Sequence, residues 1–219
     1  MAPARALWHH SSMFRDRTEA GEKLADRLAG MSLPDPVVLA LPRGGVPVAL
    51  PVAERLAAPL DLLLVRKIGM PGHSELAAGA VVEGGTPVFN AELLGYHRLT
   101  PADFDADVAA KRAEIAARRA AWLTDRAPVD LAGKTAIVVD DGVATGATVK
   151  AALQGLATRG AARVVLAVPV APADSLAALA PLCDDLVCLE TPHPFFAVGG
   201  HYRVFDQVAD EAVARMLAG

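Results

Sequence analysis

The stretch of this chain richest in chemistry is Ile137-Val138-Val139-Asp140-Asp141-Gly142-Val143-Ala144-Thr145-Gly146-Ala147-Thr148, an apolar run ending in two acids, then a glycine-bearing turn, then a helix start. Successive strand side chains point to opposite faces. Two adjacent acids at a strand's carboxyl end therefore send one carboxylate toward the crevice while the other turns away or reaches a cation. Such a pair suits hydroxyls and magnesium. Gly142 and Gly146 let the backbone approach a ligand closely, and the N–H groups of the following helix start, with the Thr145 and Thr148 hydroxyls, make a pocket for a phosphate. Each charge–dipole contact there is worth about 0.3–1 kcal/mol, so several donors have to act together. The competing reading is a Rossmann-like turn with coincidental acids, but the string is far more specific than a lone glycine motif. A P-loop reading of Gly133-Lys134-Thr135 fails, because those residues precede a strand instead of opening a helix after one.

Holding that turn at a sheet edge requires a strand before it and a helix after it, and the rest of the chain supplies both kinds of element in alternation. Continuous apolar runs predict strands at Val37 to Leu41, Leu62 to Arg66, Thr135 to Asp140, Val164 to Val168 and Leu186 to Leu189, buried on both faces as central parallel strands are. Alanine-rich segments predict helices at Thr18 to Ala29, Val46 to Ala57, Pro101 to Leu123, Thr145 to Thr158, Ala173 to Leu179 and Asp206 to Leu217. Gly30 and Gly160 stand where left-handed helix stops belong, and Thr100 before Pro101 reads as an N-cap. The expected fold is α/β, a doubly wound, mostly parallel sheet of about five strands. Residues 67–133 form an insert within one domain spanning 1–219. Part of the insert reads as a hairpin, with Val81-Val82 and Val88-Phe89 flanking Glu83-Gly84-Gly85-Thr86. On its long helix, Lys111, Arg112, Arg118 and Arg119 interleave with Asp103, Asp105, Asp107 and Glu114, as on a solvated face.

A second anion site is expected at Leu41-Pro42-Arg43-Gly44-Gly45-Val46, which follows the first strand and opens a helix at the same sheet edge. On its own it would read as a plain strand-to-helix turn. Next to the acidic motif, the anion-site reading becomes the stronger one.

Composition narrows the functional class. Lys and Arg total 21 against 25 Asp and Glu, a formal net charge of −4, so no polybasic surface exists to release counterions from nucleic acid. Cys183 and Cys188, the only two cysteines, lack C-x-x-C spacing, and with His193 and His201 they lack the spacing of a zinc site. The longest apolar runs fall far short of the roughly 20 residues of a membrane-spanning helix. With no secretory leader read at the N-terminus, a cytoplasmic protein with neither nucleic-acid nor membrane partner is expected.

The string from Ile137 to Thr148 resembles the phosphoribosyl pyrophosphate signature of the type I phosphoribosyltransferases: apolar strand, Asp-Asp, then small residues around Thr-Gly-x-Thr. Arg66-Lys67-Ile68-Gly69 and the ending Phe195-Phe196-Ala197-Val198-Gly199 resemble most the members of unassigned substrate. The resemblance implies a transferase that uses phosphoribosyl pyrophosphate and magnesium to ribosylate a nucleobase or similar heterocycle, releasing diphosphate. By it, Asp140 and Asp141 hold the ribose hydroxyls and magnesium, and Val143 to Thr148 wrap the 5-phosphate. Arg43, Gly44 and Gly45 steady the diphosphate, and Lys67 completes a catalytic set with the two acids. Pro71-Gly72-His73-Ser74-Glu75 would be a flexible closing loop, with Glu75 and His73 as weak candidates. Residues 190–205 would form a small C-terminal hood, with Phe195 and Phe196 either stacking on a planar acceptor or filling core. Phe14-Arg15-Asp16-Arg17 would either help to close the site or form a salt-bridged helix cap. A homodimer is compatible with the resemblance, and so is a non-catalytic protein that senses phosphoribosyl pyrophosphate or a nucleotide, because fold alone does not decide activity.

Overall fold

The computed structural model describes residues 13–124 and 126–218, with Ser74 and Glu75 described by their backbone alone. Asp16 opens the first helix, α1 (Arg17–Ala29), as an N-cap whose carboxylate accepts the Glu19 amide at 2.8 Å. Next come β1 (Pro36–Ala40), α2 (Gly45–Leu56) and β2 (Leu60–Leu62), which pairs parallel with β1. The chain then leaves that sheet. An antiparallel sheet forms from β3 (Val65–Met70), β4 (His73–Val82) and β5 (Val88–Phe89). The insert ends with α3 (Ala91–Tyr96), a 3-10 turn at Pro101–Phe104, and α4 (Asp105–Trp122). The main sheet resumes with β6 (Thr135–Val139), α5 (Ala147–Leu156), β7 (Arg163–Val170), α6 (Ala173–Leu179) and β8 (Asp185–Glu190), and α7 (Asp210–Ala218) closes the chain.

The main sheet has the order β2-β1-β6-β7-β8, with every neighbouring pair parallel. From β1 the chain goes out to β2 on one side and comes back through β6 on the other, so the winding direction reverses between β1 and β6. Such a reversal opens a crevice beyond the carboxyl ends of the two strands. Alternating residues feed two cores. Val38, Ala40, Ile137 and Val139 pack with Leu24 and Leu28 of α1 and Val48 and Val52 of α2. Val37, Leu39, Ala136 and Val138 pack with Val149, Leu153 and Leu156 of α5. Each fully buried aliphatic side chain of this kind contributes about 1.5–3 kcal/mol, enough to fix the strand ends that carry the loops.

Several expectations are corrected by the structure. The run Leu62 to Arg66 is two strands: Leu63 still donates its amide to Ala40, whereas the Leu64 carbonyl already accepts from Glu83 of the insert. Residues 71–75, expected as a flexible loop, form the tip and start of the β3–β4 hairpin, where Met70 pairs with His73. Only the backbone of Glu75 is described. The hairpin around Glu83 to Thr86 is present, with Gly79 opposite Phe89 and Ala80 opposite Val88. Gly160 adopts the left-handed conformation, but Gly30 has φ −80° and ends α1 right-handed. The last helix starts at Asp210, four residues later than expected: residues 206–209 form no regular structure, and the Asp206 carbonyl accepts from Arg17.

Arg119 does not lie on a solvated face. It is buried, donating to both carboxylate oxygens of Asp61 at 2.8 and 3.0 Å and to Glu83 at 2.9 Å, so it pins α4 to β2 and to the end of β4. Among the described residues, no helix is long and apolar enough to cross a membrane.

Candidate functional site

β6 ends the buried run Thr135–Val139 and delivers Asp140 and Asp141 to the switch point, next to the turn that follows β1. The two turns touch there. A β-carbon on Gly44 would lie 2.0 Å from Asp141 Oδ2, and one on Gly45 would lie 2.6 Å from the Val139 carbonyl oxygen, so only glycine allows this approach. The Pro42–Arg43 peptide is cis.

Beyond the acids, the chain runs as an open loop. Val143 donates its amide to the Val170 carbonyl at 2.9 Å, and Ser175 of α6 donates its hydroxyl to the Ala144 carbonyl at 2.6 Å, so the loop is pinned from below. Gly142 is buried against Val170 and Val198, so its place is in the packing of the loop's floor. Gly146 takes a left-handed conformation at φ 76° and caps α5, which is why the helix begins at Ala147 and not at Thr145. Among the described residues, no protein acceptor takes the amide hydrogens of Ala144 through Val149. Ala144, Thr145, Ala147 and Thr148 are exposed, and the loop borders a 230 Å³ cavity that also touches Asp140 and Val198. A row of unpaired N–H groups at the start of a ten-residue helix can hold an anion.

The acids are held differently. Asp140 Oδ1 accepts the Asp141 amide at 2.9 Å, and burial followed by the neighbouring Asp141 charge pushes its carboxyl well above the usual range. Asp141 is also raised by burial, against the pull of Arg17, whose Nε donates to Oδ2 at 2.8 Å. The Asp141 backbone carbonyl accepts the Tyr202 hydroxyl at 2.5 Å. No group of three His, Cys, Asp or Glu side chains among the described residues could by itself hold a metal ion. The oxygens that Asp140 and Asp141 leave free fit a magnesium ion that keeps water and substrate oxygens as most of its shell.

The turn after β1 offers fewer donors than expected. The Gly45 and Val46 amides are spent on the Leu41 and Arg43 carbonyls, which leaves those of Arg43 and Gly44 without a protein acceptor among the described residues. Arg43 itself faces Asp210 at 3.5 Å, an acid it shares with Arg118 at 3.3 Å. Lys67 lies exposed on β3, where it lines a 560 Å³ cleft with Thr148 and Lys150; residues 43–45 do not line that cleft. Phe195 and Phe196 divide the two readings made of them. Phe195 is half-buried and stacks on His201 at 5.1 Å, whereas Phe196 is 89 % exposed. A larger cavity of 740 Å³ between α4 and the end of β4 holds none of the motif residues.

The N-terminal motif likewise serves both readings: Asp16 is the cap, paired with Arg15 at 2.9 Å, and Arg17 reaches the acids. Tyr202 and Ser175 were not among the sequence candidates. Tyr202 lies within the segment read as a hood and Ser175 in no motif, and only the fold shows that both hold this loop.

Fold and site together define an α/β protein of the doubly wound class whose carboxyl-edge crevice places a run of unpaired amides beside two acids. The chain belongs to the phosphoribosyl transferase domain family, whose model matches residues 16–203. Two Mycobacterium tuberculosis proteins, provisionally named as phosphoribosyl transferases, are each 48 % identical to it over 205 residues. That match covers 94 % of this chain and 46 % of theirs, so the chain spans about half the length of these relatives. The crystal structure of a Thermus thermophilus protein, TT1426, is 43 % identical, with a TM-score of 0.82 over 94 % of this chain and 97 % of that one. A Neisseria gonorrhoeae protein whose crystal structure holds ppGpp shares the fold at 15 % identity, with a TM-score of 0.52 over 94 % of this chain and 97 % of that one.

Proposed function

We propose that this chain is a phosphoribosyltransferase that uses phosphoribosyl pyrophosphate with magnesium to ribosylate a nucleobase or similar nitrogen heterocycle in the cytoplasm. The observation that carries the reading is the run of unpaired amides from Ala144 to Val149, placed directly after Asp140 and Asp141 and facing open space.

In this reading the loop's amides and the Thr145 and Thr148 hydroxyls hold the 5-phosphate, while Asp140 and the free oxygen of Asp141 accept from the ribose hydroxyls. The Arg43 and Gly44 amides, with the Arg43 side chain swung from Asp210, face the diphosphate, and Lys67 approaches from the hairpin side. The oxygens that Asp140 and Asp141 leave free would also hold a magnesium ion, which would offset the charge of the diphosphate. An acceptor nitrogen then bonds to C1 as the bond from C1 to diphosphate breaks, and the acceptor's N–H proton is released. Fixing both ends of the sugar supplies most of the advantage, because the reacting atoms are held close in the attacking geometry.

The test is diphosphate release from phosphoribosyl pyrophosphate and magnesium across a broad panel of nitrogen heterocycles. Release that depends on one acceptor supports the reading. Tight binding of phosphoribosyl pyrophosphate with no turnover on any acceptor replaces it with that of a sensor.

A further inference from the structure

We propose that Arg17 is a positioning residue for this site, a built-in counter-cation that orients Asp141 and cancels its charge. The inference rests on the ribose-phosphate reading above and assigns within it the part played by the N-terminal segment.

Arg17 is held on three sides. Its Nε donates to Asp141 Oδ2 at 2.8 Å, its Nη1 donates to the Asp206 carbonyl at 2.8 Å, and its guanidinium carbon lies 3.8 Å over the Phe205 ring. Both ends of the ion pair are largely removed from water, with side-chain exposures of 12 % for Arg17 and 15 % for Asp141. Such a pair is screened far less than the surface pairs elsewhere on this molecule. The segments that carry it are bound to each other: Phe14 donates to His201, Arg203 to Phe14 and Val204 to Arg15 through their backbones. The N-cap at Asp16 fixes where α1 begins and so where Arg17 points.

The arrangement solves an electrostatic problem. Two adjacent half-buried carboxylates beside a cup for phosphate would repel the polyanion the cup is shaped for, and each would resist ionising next to the other. Arg17 leaves the pair with about one net negative charge. It also ties Oδ2 of Asp141 to the protein, so that Oδ1 is left for a sugar hydroxyl. A lysine has a compact ammonium and could not span Asp141, the Asp206 carbonyl and the Phe205 face together.

A double-mutant cycle read by calorimetric binding of magnesium phosphoribosyl pyrophosphate tests this. Arg17→Gln should weaken binding at least tenfold with Asp141 intact, and by less than about threefold in the Asp141→Asn background, where position 141 carries no charge to cancel and Asp140 is the one carboxylate left. Arg17→Lys keeps a charge at the site and should fall between wild type and Arg17→Gln; it carries the cycle if the glutamine variant does not fold. Equal losses in both backgrounds would overturn the role of Arg17 while leaving the ribose-phosphate reading intact. Absence of binding by the wild-type protein would overturn both.

Discussion

Gly44 and Asp141 meet where the turns after β1 and β6 converge, so closely that a methyl group on Gly44 would occupy the position of the Asp141 carboxylate, 2.0 Å from Oδ2. That oxygen is the one bound by Arg17, so a side chain at position 44 would dislodge a three-residue contact. Gly44→Ala should cost about 1–3 kcal/mol of stability by overpacking and should weaken phosphoribosyl pyrophosphate binding by more than tenfold. Chemical denaturation and calorimetry on the same preparation check this. Wild-type affinity in the alanine variant would show that Asp141 does not need its present position.

Asp140 sits where its charged form is disfavoured. Burial and the adjacent Asp141 charge raise its folded-state pKa, so its favourable contribution to folding is complete below the unfolded pKa and is lost as pH rises through the raised value. Asp140→Asn keeps an oxygen to accept the Asp141 amide and never ionises. The ligand-free variant should therefore melt higher than wild type at neutral pH, with the gap closing as pH falls toward about 4, and should bind phosphoribosyl pyrophosphate at least tenfold more weakly. Melting curves across that range decide it. A variant less stable than wild type at neutral pH would mean that the carboxylate is not under strain.

Much of this site was legible from residue order because the strand, the acids and the glycine turn are consecutive, and an all-apolar run before Asp140 has few alternatives to a central strand. What escaped was long-range or partner-dependent. Arg17 and Asp141 are 124 residues apart, and nothing in either segment names the other. The break between Leu62 and Val65 is silent because hydrophobicity does not change when a strand changes partners. The α5 start shifted by two residues because Gly146 at positive φ caps the helix, whereas composition alone placed Thr145 inside it. Arg119 shares its helix with exposed charges, and its burial follows from the depth at which Asp61 and Glu83 sit.

That buried triad predicts a large stability effect away from the site. Arg119→Met removes the partner of both Asp61 and Glu83 and should cost about 3–5 kcal/mol, because two buried carboxylates are left unpaired. Burial already raises the Glu83 pKa while Arg119 pulls it back, so without the arginine it rises further. The variant's folded state then binds its proton more tightly, and part of the loss should be recovered on acidification from neutral pH. Urea titrations at neutral and at mildly acidic pH measure it. A loss independent of pH would show that packing by the arginine stem, and not its charge, holds α4 in place.

Phe195 and Phe196 are adjacent, but the structure puts them to different uses. Phe195 packs with the cluster around Phe14, Tyr202 and Val170 and stacks on His201, so Phe195→Ala should cost about 1–3 kcal/mol. Phe196 is 89 % exposed on the same segment, and Phe196→Ala should change stability by less than about 0.5 kcal/mol. An exposed ring that contributes nothing to folding is free to stack on a planar acceptor. In the assay that identifies the acceptor, Phe196→Ala should therefore raise the acceptor KM severalfold and leave the KM for phosphoribosyl pyrophosphate unchanged. An unchanged acceptor KM would move the base platform away from this segment and toward the cleft that Lys67 and Phe89 line.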